Sequence, residues 1–161
     1  MAEVYLGLGS NLGSKLENLK EAETYIEKFI GEIQQRSSYY KTAPWGLTDQ
    51  NEFINSVVKI ETFHNPRIVL SLIEKIEYTI GRTPTVKWGD RIIDIDILFY
   101  GDRRLESKKL VIPHPHIQER NFVLVPMKEI NHMFMHPILQ KTIEELYLAS
   151  SDQSAVRIID K

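Results

Sequence analysis

Hydrophobic and polar positions along this chain follow two periods, and the switches between them mark its elements. Residues 4–8 form a short apolar run that reads as a buried strand ending in Gly9-Ser10-Asn11. Ser14 with Glu17 three residues on is a capping-box pattern. Leu16, Leu19, Ala22, Ile26 and Phe29 then recur at helical spacing, a stripe suited to core packing. Residues 33–42 read as a strand with Tyr39 and Tyr40 near its end, broken by Thr42-Ala43-Pro44-Trp45-Gly46. Residues 53–62 alternate: Ile54, Ser56, Val58, Ile60 and Thr62 share one face, and Phe53, Asn55 and Val57 share the other.

Asn65-Pro66 opens a second helix, with Val69, Leu72, Ile73, Ile76 and Ile80 inward and Gly81 as its stop. Residues 82–91 are polar, contain Pro84 and Gly89, and read as a mobile loop. Residues 92–100 are the most strand-like segment, with Ile93, Ile95, Ile97 and Phe99 on one face, turned by Gly101-Asp102. A strand at 110–112 precedes Pro113-His114-Pro115-His116, read as extended with both histidines pointing the same way. A helix over 119–130 carries Phe122, Val123 and Met127, with Pro126 disturbing it. Thr142 and Glu145 cap a last helix to about Ala149, and 155–159 forms an edge strand.

The order is strand, helix, strand, strand, helix, strand, then a C-terminal extension. It predicts an α+β fold, a ferredoxin-like split β-α-β sandwich with helices packed on one face of an antiparallel sheet. The length of 161 residues predicts a single domain, 1–161.

Composition narrows the classes. Twenty basic against twenty-two acidic residues leave a net charge of −2, which disfavours a general nucleic-acid binder. The chain has no cysteine, which removes disulfides, thiolate ligands and cysteine nucleophiles. No apolar run has the length of a membrane span, and no basic n-region precedes Lys15, so the expectation is a cytoplasmic protein with no membrane partner.

Asp94-Ile95-Asp96 is the chemically informative feature. Side chains at i and i+2 of a strand share a face, with Cα atoms roughly 6.6 Å apart. Two carboxylates that close repel unless a cation lies between them or one is protonated. A hard divalent ion held against a nucleotide triphosphate is one reading, and a solvated sheet face is the other. Arg82, Lys87, Arg91 and Arg120 flank the pair, and arginine forks suit phosphate oxygens. His114 and His116 suit phosphate contact or a metal, or stand as exposed imidazoles on a rigid loop. Gly7-Leu8-Gly9-Ser10-Asn11 lacks the third glycine and the lysine of phosphate loops and reads as a structural turn. Asn55 beside Phe53 suits a flat heterocycle, or is a buried amide satisfied by backbone.

These segments, in this order, resemble the 6-hydroxymethyl-7,8-dihydropterin pyrophosphokinase family. The resemblance is carried by Gly7-Leu8-Gly9-Ser10-Asn11-Leu12, Tyr40-Lys41-Thr42-Ala43-Pro44-Trp45-Gly46, Phe53-Ile54-Asn55, Glu77 and Gly81-Arg82. It continues through Trp88-Gly89-Asp90-Arg91-Ile92-Ile93-Asp94-Ile95-Asp96-Ile97-Leu98, Pro113-His114-Pro115 and Arg120-Asn121-Phe122-Val123-Leu124.

The resemblance implies a Mg²⁺-dependent diphosphotransferase of folate biosynthesis. It moves the β,γ-diphosphate of ATP to the pterin 6-hydroxymethyl oxygen and releases AMP. It further implies that Asp94 and Asp96 hold two Mg²⁺ ions and that Arg82, Arg91 and His114 contact the phosphates. Glu77 and Arg120 join the ATP-binding set; Leu70, Ile97 and the region of Glu74 line adenine; Trp88 sits on a closing loop. Phe122 with Phe53 or Trp45 sandwiches the pterin, and Asn55 with the backbone around Thr42, Ala43, Pro44 and Trp45 pairs with its edge. The substrates are the partners, with no nucleic acid, and the chain is a monomer or weak dimer. The family commonly has arginine before the tryptophan and proline after the glycine, where this chain has Lys87 and Asp90; acidic Glu74 replaces a glutamine-like residue. Two other readings compete: a general D-x-D transferase, which needs no Phe53, Asn55 and Phe122 set, and an RNA-recognition module, which the acidic pair disfavours.

Overall fold

The computed structural model describes residues 1–43, 51–83 and 90–159. Its first strand, β1 (Ala2–Ser10), buries Val4, Leu6 and Leu8 on one face and Tyr5 on the other. Helix α1 (Lys15–Phe29) follows and buries Leu19, Ala22 and Ile26. Leu16 is only half-buried and Phe29 is exposed, so the expected stripe is shorter at both ends. The Ser14 side chain makes no cap hydrogen bond, which corrects the capping-box reading there. Instead Asn18 Nδ2 holds the chain entering the helix, donating to Leu12 O at 3.1 Å.

The strand expected over 33–42 is two strands, β2 (Glu32–Arg36) and β3 (Tyr40–Thr42). Both pair antiparallel with β4 (Phe53–Thr62), but three residues on their side face two on β4 between Arg36↔Val58 and Tyr40↔Asn55. Ser37 N still donates to Val57 O there, its hydroxyl accepts from Val57 N, and the Ser38 hydroxyl donates to Glu129, so side chains complete the interrupted ladder. β4 alternates as expected: Ile54, Val58 and Ile60 join the cluster under the first two helices, and Val57 joins the opposite one. Helix α2 (Pro66–Ile80) starts with Asn65 accepting from Ile68 N at 3.0 Å and ends at Gly81 with φ 118°.

Strand β5 (Asp94–Tyr100) begins two residues later than expected. Tyr5 pairs with Phe99 but Leu6 with Ile97, so Leu98 is an extra residue in a β-bulge. The bulge corrects the face assigned to Phe99. It joins Tyr5 and Leu98 on the far side, and Tyr100 takes its place under the helices. Short β6 (Leu105–Glu106) and β7 (Val111–Ile112) pair with each other, and His114 N then donates to Leu98 O, the bulge carbonyl, at 3.0 Å. After Pro115 the chain turns into a 3-10 helix, Ile117–Glu119, so Pro113 to His116 is not extended; the His114 and His116 rings still lie 5.8 Å apart.

Helix α3 (Asn121–Asn131) runs unbroken through Pro126, and α4 (Ile143–Ala149) carries the expected Thr142–Glu145 capping box. β8 (Val156–Ile158) pairs with β3. Among the described residues the main sheet has the order β5-β1-β4-β3-β8, with β2 also on β4 and every pairing antiparallel. α1 and α2 pack on one face. The expectation of helices on one face only is corrected, because the C-terminal part folds α3 and α4 over the other face around Tyr5, Leu98, Phe99, Leu124 and Met127. Among the described residues no helix is long and apolar enough to cross a membrane.

Gly31, between α1 and β2, tests this packing. A Cβ there would stand 2.1 Å from the Glu61 carbonyl oxygen, and that carbonyl belongs to the central β4. Gly31→Ala is expected to cost about 3 kcal/mol, read as a lower urea midpoint at unchanged m-value. An unchanged midpoint would contradict the close approach.

Candidate active site

The cavity opens where α3 leaves the sheet uncovered, and its floor is β1. Gly7 and Gly9 face this side with Tyr5, leaving bare backbone. Gly9 pairs with Asp94 on one side and Asn55 on the other, and Gly7 pairs with Asp96 and Val57. The row Asp94, Gly9, Asn55 thus sets the backbones that carry a carboxylate and an amide about 10 Å apart across a side-chain-free strand. The space is about 670 Å³, open solvent included, which suits a small-molecule ligand. The structural-turn reading of residues 7–11 is corrected: the strand continues to Ser10. Two glycines at i and i+2 of an apolar strand are themselves a signal of close backbone approach.

On the amide side, Thr42 Oγ1 donates to Asn55 Oδ1 at 2.6 Å, and Asn55 Nδ2 reaches Leu8 O at 3.4 Å. The buried amide is therefore held by neighbours and also lines the cavity, with a second Nδ2 hydrogen left for a ligand. Ala43, Phe53 and Phe122 line the same space. Arg120 is buried at the start of α3, with its guanidinium carbon 5.5 Å from the Phe122 ring centroid.

On the acidic side, Asp94 Oδ1 accepts from Arg82 Nη1 at 3.1 Å and from Arg91 Nη1 at 3.0 Å. Glu77 Oε2 accepts from Arg82 Nη1 at 2.6 Å and from Ile95 N at 2.9 Å. Because β5 is an edge strand, Glu77 satisfies one of its outward N–H groups and orients Arg82 at once. Burial pushes the Glu77 carboxyl up to about 7, with Arg82 and the Ile95 N–H opposing.

Between the usual carboxylate range and pH 7, folded Glu77 thus holds a proton that the unfolded chain has released. Its contribution to stability is complete at low pH and is lost as pH rises through about 7. Glu77→Gln, which keeps the acceptor for Ile95 N, is expected to gain thermal stability relative to the parent from pH 5 to pH 8. A pH-independent difference between the two melting curves would contradict this.

Burial, then the neighbouring Asp94 charge, raises the Asp96 carboxyl far above its usual range. Its Oδ2 lies 3.9 Å from His114 Nε2. His114 Nδ1 accepts from His116 N at 3.2 Å, which assigns the imidazole proton to Nε2, on the Asp96 side. Burial, then Arg120 and His116, lowers His114 to about 4, so it stands there as a neutral donor at pH 7. Among the described residues no group of three or more metal-ligating side chains occurs. Two crowded carboxylates, one raised by the other, fit a divalent cation that completes its shell with water and phosphate oxygens, as Mg²⁺ does.

The structure brings Thr42, Ala43, Phe53, Asn55, Arg91, Asp94, Asp96, Arg120 and Phe122 to one cavity, with Arg82 and His114 joined to it through Asp94 and Asp96. Leu70 and Ile97 pack in the cluster under the helices, and Glu74 is exposed on α2, away from the cavity lining. Pro44, Trp45, Gly46, Lys87 and Trp88 lie outside the described residues. The sequence reading missed Gly7 and Gly9 as the floor and Asn11 as a contact between segments.

Residues 5–132 match the family model of 7,8-dihydro-6-hydroxymethylpterin-pyrophosphokinase (HPPK). The chain is 41% identical over 145 residues to the 2-amino-4-hydroxy-6-hydroxymethyldihydropteridine pyrophosphokinase of Aquifex aeolicus, covering 90% of each chain. It is 37% identical over 155 residues to the Bacillus subtilis protein of the same name, covering 96% of this chain and 88% of that one. Among solved structures, the wild-type Plasmodium falciparum HPPK-DHPS superposes with a TM-score of 0.73 at 21% identity. That match covers 92% of this chain, which spans 43% of the Plasmodium one. A carboxylate pair and an amide with aromatic walls, facing each other across a glycine floor, thus occur in a sequence matched along most of its length: the chain belongs to the 7,8-dihydro-6-hydroxymethylpterin-pyrophosphokinase family.

Proposed function

We propose that this cavity is where the chain, as a pyrophosphokinase of folate biosynthesis, moves the β,γ-diphosphate of ATP onto the 6-hydroxymethyl oxygen of 7,8-dihydropterin. The observation that carries the reading is the cross-strand row. The acidic pair on β5 and the amide of Asn55 on β4 face one space over Gly7 and Gly9, with Phe53 and Phe122 beside it. The pterin lies flat between Phe53 and Phe122 with its polar edge on Asn55 and the Thr42–Ala43 backbone. Its hydroxymethyl group then points along the floor toward Asp94 and Asp96. The hydroxymethyl oxygen bonds to the β-phosphorus as the bond to the α,β-bridging oxygen breaks. AMP leaves, and the hydroxyl proton passes to water.

Such a transfer asks for positioning and charge neutralisation, not a side-chain nucleophile. Asp94 and Asp96 would hold Mg²⁺, two ions by the family resemblance, which when bound neutralises phosphate charge and aligns the phosphate chain. Arg82 and Arg91, drawn onto Asp94, turn their remaining N–H groups to phosphate oxygens, and His114 Nε2–H donates to the same chain. Arg120 supplies a buried positive charge beside the pterin wall and Asp96. By the family resemblance alone, Leu70, Ile97 and Glu74 are assigned to adenine and Trp88 to ATP binding. The β-α-β-β-α-β order with antiparallel neighbours supports the ferredoxin-like split β-α-β class for a single domain.

Chelation tests the metal assignment. EDTA is expected to stop pterin-dependent AMP formation and excess Mg²⁺ to restore it. Turnover that persists in EDTA would contradict the role given to Asp94 and Asp96.

A further inference from the structure

Asn11 and Asp90 form a contact that the reaction described above does not use. Asn11, at the end of β1, has no exposed surface. Its Nδ2 donates to Asp90 Oδ1 at 2.7 Å and to Asn51 O at 3.2 Å. Its Oδ1 accepts from Arg91 N at 2.7 Å, and its own N–H donates to Arg91 O at 3.0 Å. One buried residue therefore grips both polar ends of the Arg91 backbone, the N–H with its side chain and the carbonyl with its own backbone N–H, and its side chain also holds Asp90. Arg91 leaves this grip to place Nη1 on Asp94 Oδ1 at 3.0 Å. The charged acceptor on Asn11 is a hydrogen bond of the stronger kind.

We infer that the buried Asn11–Asp90 hydrogen bond is the latch that fixes the Arg91 backbone, making both positioning residues that act on the triphosphate through Arg91. The inference rests on the reading of Arg91 as a phosphate ligand, and the experiment separates the two.

Asp90→Ala should raise the KM for ATP about tenfold, the worth of one such hydrogen bond, and leave the KM for the pterin unchanged. Asn11→Asp keeps the acceptor for Arg91 N but sets two carboxylates against each other, and should lower kcat/KM for ATP by more than tenfold. Asn11→Asp with Asp90→Asn reverses the polarity of the bond and should recover most of that loss, which a general loss of packing would not do. In an Arg91→Ala background, Asp90→Ala should have less than a twofold further effect. Melting temperatures of all variants register folding. If Asn11→Asp does not fold, the Asp90→Ala pair of measurements decides alone.

Asp90→Ala within twofold of the parent while Arg91→Ala is crippled would overturn the latch and leave the phosphate reading standing. A folded double exchange no better than Asn11→Asp would overturn it too. An Arg91→Ala variant with full activity would overturn both.

Discussion

Asp94→Ala and Asp96→Ala each lose at least about 10³-fold in kcat, the scale of removing a preorganised electrostatic group from a transition state. The two carboxylates differ in what they do for the fold, and that contrast is the sharper test. Asp94 is the shared acceptor of Arg82 and Arg91. Deleting it leaves two partly buried guanidinium groups without that anion, so Asp94→Asn lowers the melting temperature of the metal-free chain. Asp96 is raised by burial and by Asp94, with Arg120 and Arg91 opposing. Asp96→Asn removes that conflict and leaves the metal-free melting temperature at neutral pH unchanged or higher. Turnover within tenfold of the parent in either alanine variant would contradict the acidic pair as the phosphate-side centre. Equal destabilisation by both asparagine variants would contradict the distinct roles given to the two carboxylates.

Gly9→Ala raises the KM for the pterin about 100-fold while leaving the affinity for ATP within a few-fold of the parent. A Cβ at Gly9 would stand 2.6 Å from Asn55 Nδ2. That amide has little room to yield, because Thr42 holds its oxygen at 2.6 Å and the Leu8 carbonyl lies behind its nitrogen. The added methyl therefore turns the amide away from the substrate edge, and a buried polar group left unpaired costs about 1–3 kcal/mol, up to roughly 100-fold. Gly7→Ala makes a useful control: its Cβ meets only the end of Leu98, at 3.4 Å, which is ordinary contact. An unchanged pterin KM in Gly9→Ala would remove Asn55 from the pterin edge.

What the sequence showed and what it hid divide along a physical line. Local signals carried through. Asn65-Pro66 and Gly81 bounded α2, Thr142 with Glu145 capped α4, and the alternation from Phe53 to Thr62 put Asn55 and Phe53 on the face away from the first helices. Each depends on neighbours within a few residues, although the equally local Ser14–Glu17 pattern formed no cap and Pro113 to His116 turned instead of extending. The other misses depend on partners far along the chain. The Leu98 bulge, which moves Phe99 to the other face, answers a mismatch with β1 and is met by His114 N. The break at Ser37 depends on Val57, and Ser38 on Glu129 of α3. Buried Glu23 and Glu77 interrupt otherwise apolar helix faces because Arg36, Tyr39, Arg82 and Ile95 N receive them. The acidic pair was legible because i and i+2 share a face on any strand. The glycine floor was not, because only pairing with β4 and β5 shows what those glycines make room for.

Product analysis with ATP, Mg²⁺ and 6-hydroxymethyl-7,8-dihydropterin, resolving AMP from ADP, decides whether the cavity transfers a diphosphate. AMP and pterin diphosphate are expected in equal amounts, both dependent on the pterin. ADP with a pterin monophosphate, or nucleotide release that ignores the pterin, would contradict diphosphate transfer in this cavity.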